Sequence, residues 1–462
     1  VKHVETECFI PDTEWHRSRN GLHLVAGSPM RAFTVSDAGS RILDGIERKQ
    51  PLPANHHPLT DSLVKAGAIH PTPTSPPSLA EVTVVIPAYV RSEQDVQRLQ
   101  TLVSGFKGMD VVVVDDASPH PLSISTSSNV RVTRHPSNSG PGEARNTGLN
   151  LVNTPFVAFV DMDASPTPQQ LQTLAAYAAL PHASLLAPRI VTPPTKSMVG
   201  HYEELRSPLN LGTNSSLARP GARVSYVPST VLVGRTDTVR TLGKFNTTLR
   251  FGEDVDLSWR FADHDFPCRY APDVEVPHES RATVRELVKQ RFGYGTSAAA
   301  LDQIRPRAVA PLRATFDVAL TALLLASGYI ATGIVLALIS VALTAQGLRK
   351  TKLGFNMRLS LAWRGLGHAL TLLARAVTRV WWPVIICLAI FSARASVLLV
   401  TCTLVPIIGG VLRQKPANPF SYALLRIIDD LSYCAGVWVG AIKARSIRCL
   451  LPVISWRRVR AN

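Results

Sequence analysis

Residues 318–346 run 29 positions without one charged side chain. About 20 apolar residues suffice for a helix to cross a bilayer, so this stretch demands an apolar surrounding. Two more apolar segments follow. Residues 380–412 are interrupted by Arg394, and residues 420–442 contain Arg426 and the pair Asp429–Asp430. The intervening and flanking segments 285–313, 347–379 and 443–460 are rich in Lys and Arg. Residues 347–379 hold seven of them and no Asp or Glu. The positive-inside rule would put all three basic segments on the cytoplasmic side, which an odd number of spans between successive basic loops does not satisfy. Two arrangements stay open: re-entrant or interfacial helix pairs bent near residues 328–333 and 392–396, or genuine spans. Both predict a cell-membrane protein that meets lipid through residues 311–462, with its preceding domain on the cytoplasmic side.

The chain has 462 residues and a formal charge of +16. That length exceeds one ordinary core and predicts two or three domains. The charge does not point to nucleic acid, because it crowds beside apolar runs and no aromatic-studded basic stripe accompanies it. The six cysteines form no CxxC pair. A disulfide framework or zinc site is therefore not expected, and a reducing compartment is the default. The first residues, VKHVETECFIPDTEWHRSRNG, are charged throughout and do not read as a secretory signal.

Residues 1–70 read as a small separate unit. HLVAGSPMRAFTVS gives two short strands around a Gly-Ser-Pro turn, and Ser36 caps a helix through DAGSRILDGIE. A second helix, PLTDSLVKAGAI, ends at Gly67, and the set suits a winged-helix-like module. Residues 71–80, within the proline-rich stretch that begins at His70, read as a semi-rigid linker.

Beyond the linker, over residues 81–310, the pattern becomes that of an α/β fold. VTVVIPAY (82–89), DVVVVDD (110–116), VRVTRH (130–135) and PFVAFVDMD (155–163) are near-continuous β-branched runs, as in strands buried on both faces of a largely parallel sheet. Helical stretches 93–106 and 142–152 alternate with them. Such alternation puts ligands at the carboxyl ends of the strands, where the acidic residues sit.

Four acidic elements occur in order. Asp115–Asp116 ends one strand; a carboxylate there suits a pyrimidine N–H, or serves a strand-end Asx turn. Asp161 and Asp163 end another, on alternating positions, so that one can face a ribose while the other ligates Mg²⁺ or Mn²⁺. Glu253–Asp254 opens a helix, where a carboxylate can deprotonate an acceptor hydroxyl or simply favour the helix dipole. His278 can complete a metal shell or be structural. Arg291 offers charge for phosphate and Tyr294 a stacking platform. Arg145 and Asn146 sit where a Gly-rich loop enters a helix, a place suited to anions.

With these residues, positions 82–297 resemble family-2 glycosyltransferases of the GT-A fold. The motifs are VTVVIPAY, VVVVDDASP, SGPGEARNTG, FVDMDA and GRTDTVRTLGKFNTTLRFGEDVDLSWR. The resemblance implies a nucleotide-diphospho-sugar transferase domain with an inverting, metal-dependent reaction. It implies nucleotide-sugar contacts at Pro87, Ala88, Tyr89, Asp116, Arg145, Asp161 and Arg291, metal–diphosphate binding through Asp161 and Asp163, and general-base work by Asp254 beside Glu253. The processive members' Q-x-x-R-W element is not intact; Gln290-Arg291-Phe292-Gly293-Tyr294 stands nearby. The whole layout, with RVWWP (379–383) and DDLSYCAGVW (429–438) in the tail, is similar to the mycofactocin-system glycosyltransferase family. That similarity implies UDP-glucose as donor, a peptide-derived redox cofactor as acceptor, β-1,4-linked glucose units as product, and a PqqD-like N-terminal unit that either recognises the acceptor or only packs on the catalytic domain.

Two other readings make different demands. A family-2 transferase acting on a lipid-linked or exopolysaccharide acceptor fits the basic, apolar tail but has no need of the N-terminal unit. A non-enzymatic membrane scaffold with a transferase-like fold predicts a broken acidic element, and none of the four is broken.

Overall fold

The computed structural model describes residues 6–53, 58–73, 75–120, 122, 124, 127–180, 185–266 and 268–456. Residues 1–5 of the charged amino-terminal run, residue 74 of the expected linker and residues 457–460 of the last basic segment lie outside them. The chain divides into two compact units. The first comprises Val1–His16, Val25–Pro193 and Arg206–Glu279; the second comprises Arg17–Leu24, Pro194–Leu205 and Ser280–Asn462.

The amino-terminal elements are β1 (Thr6–Pro11), β2 (His16–Arg17), β3 (His23–Ala26), β4 (Arg31–Thr34), α1 (Asp37–Glu47), β5 (Leu52–Pro53), α2 (Pro58–Ala66) and β6 (Ile69–Thr72). The expected strand pair is present as β3 and β4. Ser36 caps α1 by accepting from the Gly39 amide at 3.2 Å, and Leu43 and Ile46 are buried beneath it. Gly27 adopts φ +90°, and a Cβ there would lie 2.5 Å from the Ala66 carbonyl oxygen, so the turn admits no side chain. The linker expectation needs correction. Residues 70–72 are strand, pairing antiparallel with β1 from Cys8↔Thr72 to Pro11↔Ile69. In the sheet order β5-β1-β6, β6 is an edge, and there Pro71 forfeits no ladder bond on its open side.

The main sheet contains β7 (Val82–Ala88), β8 (Asp110–Asp115), β9 (Val130–Arg134), β10 (Phe156–Val160), β11 (Leu185–Val191), β12 (Ser216–Ala218), β13 (Val231–Arg235) and β14 (Cys268–Pro277). Their order is β12-β14-β11-β13-β10-β7-β8-β9. The half from β10 through β7 and β8 to β9 is parallel, as expected. Antiparallel β13 lies between β10 and β11, so the whole sheet is mixed. Helices α3 (Glu93–Gly105), α4 (Pro141–Asn150), α5 (Pro168–Ala179), α6 (Met198–Arg206), α7 (Thr236–Thr241) and α8 (Glu253–Asp263) punctuate it, α6 belonging mostly to the second unit. Two apolar clusters fill the two faces. One gathers Val84, Ile86, Val113, Leu171 and Val233, the other Val85, Val114, Phe159, Leu257 and Phe261. β7 and β10 are buried on both faces, as their unbroken β-branched runs require. β9 is not. It is an edge strand, and its Arg131 and Arg134 leave it largely exposed, which corrects the expectation for residues 130–135.

The second unit contains α9 (Val284–Ile304), β15 (Arg313–Thr315), α10 (Phe316–Ala326), α11 (Ile330–Gly347), α12 (Phe355–Arg379), α13 (Trp382–Phe391), α14 (Ala393–Gln414), α15 (Pro419–Lys443) and β16 (Val453–Ser455). Among the described residues two helical segments, Ile330–Thr351 and Ala393–Gln414, are long and apolar enough to cross a membrane, and α12 with α13 forms a third candidate bent by 87°. The 29-residue uncharged run is thus broken at Ser327–Tyr329, near the expected bend. Gly333 lets α11 come against Leu325 of α10, where an added Cβ would meet Leu325 Cδ2 at 2.6 Å. The second expected bend falls at Ser392, whose hydroxyl caps α14. The third apolar segment is no free span. α15 packs along α9 through Gly295, Gly436 and Gly440, where a Cβ on Gly436 would sit 2.1 Å from the Phe292 carbonyl oxygen. Its Arg426, Asp429 and Asp430 are buried against partners.

Candidate active site

The carboxyl end of β8 turns through Asp115 and Asp116, both buried. Asp115 Oδ1 accepts from the Ser118 amide at 2.8 Å, and Oδ2 pairs with Arg134. Asp116 Oδ1 accepts from the Ser139 amide at 2.8 Å and lies 2.9 Å from His135 Nδ1, while Oδ2 accepts from the Gly140 amide at 2.8 Å. The carboxylate expected to meet a pyrimidine is therefore turned inward. At 4% exposure, it already takes three hydrogen bonds from the loop that feeds α4. Pro87, Ala88 and Tyr89 end the neighbouring β7; Ala88 is buried, and Tyr89 is exposed with the Arg91 guanidinium 4.9 Å from its ring centroid.

α4 (Pro141–Asn150) is preceded by Gly140, which needs φ +93°, and its second turn aims two side chains inward. Asn146 and Phe245 exchange bonds of 2.9 Å in both directions between side-chain amide and backbone. Arg145 donates to Asp161 Oδ1 at 2.6 Å and to Glu253 Oε1 at 3.0 Å. Its guanidinium is almost wholly buried. Desolvation pulls its pKa down, but Asp161 and Glu253 outweigh that and hold it above the ordinary arginine value. One cation thereby joins the end of β10 to the start of α8.

After β10 the chain tucks under β14. The Ser165 amide donates to Pro277 O, and the Glu279 amide to Asp163 O, both at 2.9 Å. This brings His278 Nε2 to 3.2 Å from Asp163 Oδ1. The Asp161 carboxyl is pushed above the usual carboxylate range, chiefly by desolvation and also by the charge of Asp163, against the pull of Arg145.

Gly252, at φ +85°, swings the chain into α8 and sets Glu253 and Asp254 in its first turn. The Asp254 pKa is raised to about 7, first by desolvation and then by the neighbouring Glu253 charge, while Arg145 and bonds from the Val255 and Ser229 backbone hold it down. Asp256 pairs with Arg260 at 2.9 Å, and Arg260 donates to the carbonyls of Leu242 and Lys244, fixing the loop ahead of α8.

Of the expected site residues, Arg145, Asp161, Asp163, Glu253, Asp254 and His278 gather in the first unit. Arg291 does not serve a phosphate. It is buried at 1% exposure on α9, bonded to Glu203 at 2.9 Å and Asp429 at 3.1 Å, with Tyr202 also on Asp429. Tyr294, on the same helix, is half-buried. His135, Ser118 and Arg260 were not singled out by sequence; the i, i+4 spacing of Asp256 and Arg260 in α8 was the available signal, while His135 meets Asp116 only through the fold.

The site's residues fall within known families. The description "Glycosyl transferase family 2" matches residues 83–223, and "Glycosyl transferase family group 2" matches residues 156–397. The pre-mycofactocin glycosyltransferase of Mycobacterium tuberculosis, in strains CDC 1551 and H37Rv alike, is 34% identical over 456 residues, covering 94% of this chain and 95% of that protein. The succinoglycan biosynthesis protein ExoW of Rhizobium meliloti is 38% identical over 104 residues, 20% of this chain and 32% of that one. Among solved structures, a mannosyltransferase from Pyrobaculum calidifontis in complex with GDP-Man and Mn²⁺ aligns at TM-score 0.37 and 18% identity, covering 51% of this chain and 66% of its own. The strand-end carboxylates, the mixed α/β sheet and the full-length relative agree: the chain belongs to the family-2 glycosyltransferases, with a GT-A-type catalytic domain, in the family of the pre-mycofactocin glycosyltransferases.

Proposed function

We propose that this enzyme transfers glucose from UDP-glucose, with inversion, onto the peptide-derived acceptor named for its relative, pre-mycofactocin, building β-1,4-linked units. The 34% identity over 94% of the chain carries the reading of the acceptor, since a match confined to the catalytic domain would speak only for the donor half. In this reading Asp254 takes the acceptor hydroxyl's proton. A carboxylate near pKa 7 matches that task at neutral pH, being ionised enough to act and basic enough to pull. Glu253 tunes it, and Arg145 keeps Glu253 and Asp161 in place. Pro87, Ala88 and Tyr89 lie along the donor at the end of β7.

A divalent ion, Mg²⁺ or Mn²⁺, fits the donor chemistry beside Asp163. Ligands of one octahedral ion at bond lengths of about 2.1 Å stand about 3 Å apart, and Asp163 Oδ1 and His278 Nε2 are separated by 3.2 Å. Among the described residues no three His, Cys, Asp or Glu side chains converge closely enough to hold an ion as they stand, because Asp161 is turned to Arg145. Asp163 and His278 are the ligands in this reading, with Asp161 at their side. When bound, the ion would neutralise charge on the departing diphosphate.

Residues 1–70 are assigned to acceptor recognition as a PqqD-like unit, and residues 311–462 to attachment at the cell membrane with the catalytic domain on the cytoplasmic side. Two membrane-length helices among basic segments support the attachment. The test is to incubate membranes carrying the protein with UDP-glucose, Mg²⁺ or Mn²⁺ and the acceptor, then weigh the products. A hexose ladder lost on chelation supports the reading. Glycosylation of an extracted lipid in its place would move the function to a lipid-linked or exopolysaccharide acceptor.

A further inference from the structure

The carboxyl-terminal half of α11 and the amino-terminal half of α12 enclose a groove of about 540 Å³. Its walls are apolar, with Leu338 and Ala342 from α11 and Phe355 and Trp363 from α12. Two arginines, Arg349 and Arg358, line the same groove. Neither forms an ion pair among the described residues, and residues 347–379 contain no Asp or Glu that could neutralise them locally. Arg358 is held rather than loose. It donates to the Ala345 carbonyl at 3.1 Å and lies 5.8 Å from the Phe355 ring centroid, yet its Nε is buried without a hydrogen-bond partner. The groove sits beside the basic end of a helix of membrane length, in the sequence Arg349-Lys350-Thr351-Lys352. Basic residues just beyond an apolar helix belong at the headgroup level, where arginine forks match phosphate oxygens.

We propose that this groove is a binding site for one anionic glycerophospholipid of the surrounding bilayer. Its acyl chain lies along Leu338, Ala342 and Trp363, and its phosphate is held by Arg349 and Arg358. An apolar wall alone would accept any lipid; the two unneutralised guanidinium groups select the anionic one by charge complementarity. The site rests on the reading that the tail attaches to a membrane, but it makes a narrower claim.

Two measurements separate the claims. Flotation of the full-length protein with vesicles of phosphatidylcholine and phosphatidylglycerol in equal parts tests attachment. Native mass spectrometry of the detergent-purified protein, supplied with each of these lipids in turn, tests the groove. Wild type should retain one phosphatidylglycerol in preference to phosphatidylcholine. Arg349→Gln with Arg358→Gln should lower that retention about thirtyfold, since each basic residue at a lipid surface is worth about 1 kcal/mol. Ala342→Trp fills the groove from an exposed position, leaves both charges, and should lower retention as well. Lys352→Gln, outside the lining, should not. Equal retention of the two lipids, or retention unchanged in Ala342→Trp, overturns the site even where the protein floats. Failure to float with selective retention intact removes the membrane reading, and with it the bilayer as the source of the lipid, so the proposal falls with that reading rather than on the groove's own chemistry.

Discussion

Arg145 places its two terminal nitrogens on carboxylates from different elements, 2.6 Å from Asp161 at the end of β10 and 3.0 Å from Glu253 at the start of α8. The end of β10, proposed to meet the donor, and the start of α8, proposed to meet the acceptor, thus share one buried cation. Removing it leaves carboxylates without their counter-charge, which costs about 3–5 kcal/mol in comparable buried pairs. Arg145→Met should therefore lower the melting temperature and reduce kcat together. Arg145→Lys keeps the charge but loses the planar fork, so it should recover stability better than kcat. Calorimetry and steady-state kinetics on the two variants would separate these effects; equal loss of kcat and stability in both would count against a positioning role.

Asp254→Asn keeps the shape of the α8 start and removes the base. Turnover should fall about 10²–10⁴-fold, the usual weight of general-base catalysis. Binding of UDP, read by calorimetry, should stay near wild type, because Asp254 faces the acceptor in the proposed mechanism. A variant with ordinary turnover would sink the assignment.

The pH dependence has a definite sign. Asp254 must be ionised to accept a proton, and desolvation together with Glu253 raises its pKa to about 7. kcat/KM should therefore fall on the acid side of about pH 7, by about tenfold per pH unit once well below it. Glu253→Gln removes a negative neighbour and should move the acid limb to lower pH. An acid limb that stays in place in Glu253→Gln would assign the titration to another group.

Metal binding gives a prediction that does not depend on turnover. Asp163→Ala removes the carboxylate that stands 3.2 Å from His278 Nε2. Mn²⁺ should then cease to strengthen UDP-sugar binding, a change readable by calorimetry with and without chelator. Unaltered metal-linked binding would move the ion elsewhere.

How much of this was legible in the sequence follows from what each segment had to satisfy. β7, β8 and β10 were legible because strands buried on both faces must be apolar throughout, and their carboxylates stood out at the ends. β11 to β14 were not picked out. They carry residues such as Arg189, Arg235 and Arg269, and β13 enters the sheet antiparallel, so no run marks them. Arg291 was misread, and the loop partners of Asp116 were not foreseen, for a related reason. A charged side chain in a suggestive place says nothing of its partners, and here the Ser139–Gly140 amides and the Glu203–Asp429 pair had already claimed them. The breaks at Ser327–Tyr329 and Ser392 were legible because glycine and serine interrupted the apolar runs, whereas the 87° bend between α12 and α13 was not expected. The burial of α15 was not, since only the small residues facing α9 reveal it.

The last prediction concerns the amino-terminal unit. Asp12, wholly buried, lies 3.1 Å from His70 Nε2 and 2.8 Å from Arg223 Nη2, and the Arg223 amide donates to Ser28 Oγ at 2.7 Å. Burial raises the Asp12 pKa, but the bonds from His70 and Arg223 outweigh it and bring the carboxyl down to about 2 from 3.8. A depressed carboxylate pKa gives stability that is complete above the unfolded value and disappears as pH falls through the folded one. The contribution should therefore be full above about pH 4 and gone below about pH 2, worth about 2 kcal/mol at neutrality. Asp12→Asn should remove that increment at pH 7 and flatten the stability curve between pH 4 and 2. If the docked unit also serves acceptor recognition, the same variant should raise KM for the acceptor while leaving UDP binding alone. A variant that loses stability with no change in acceptor KM would leave residues 1–70 a packing element.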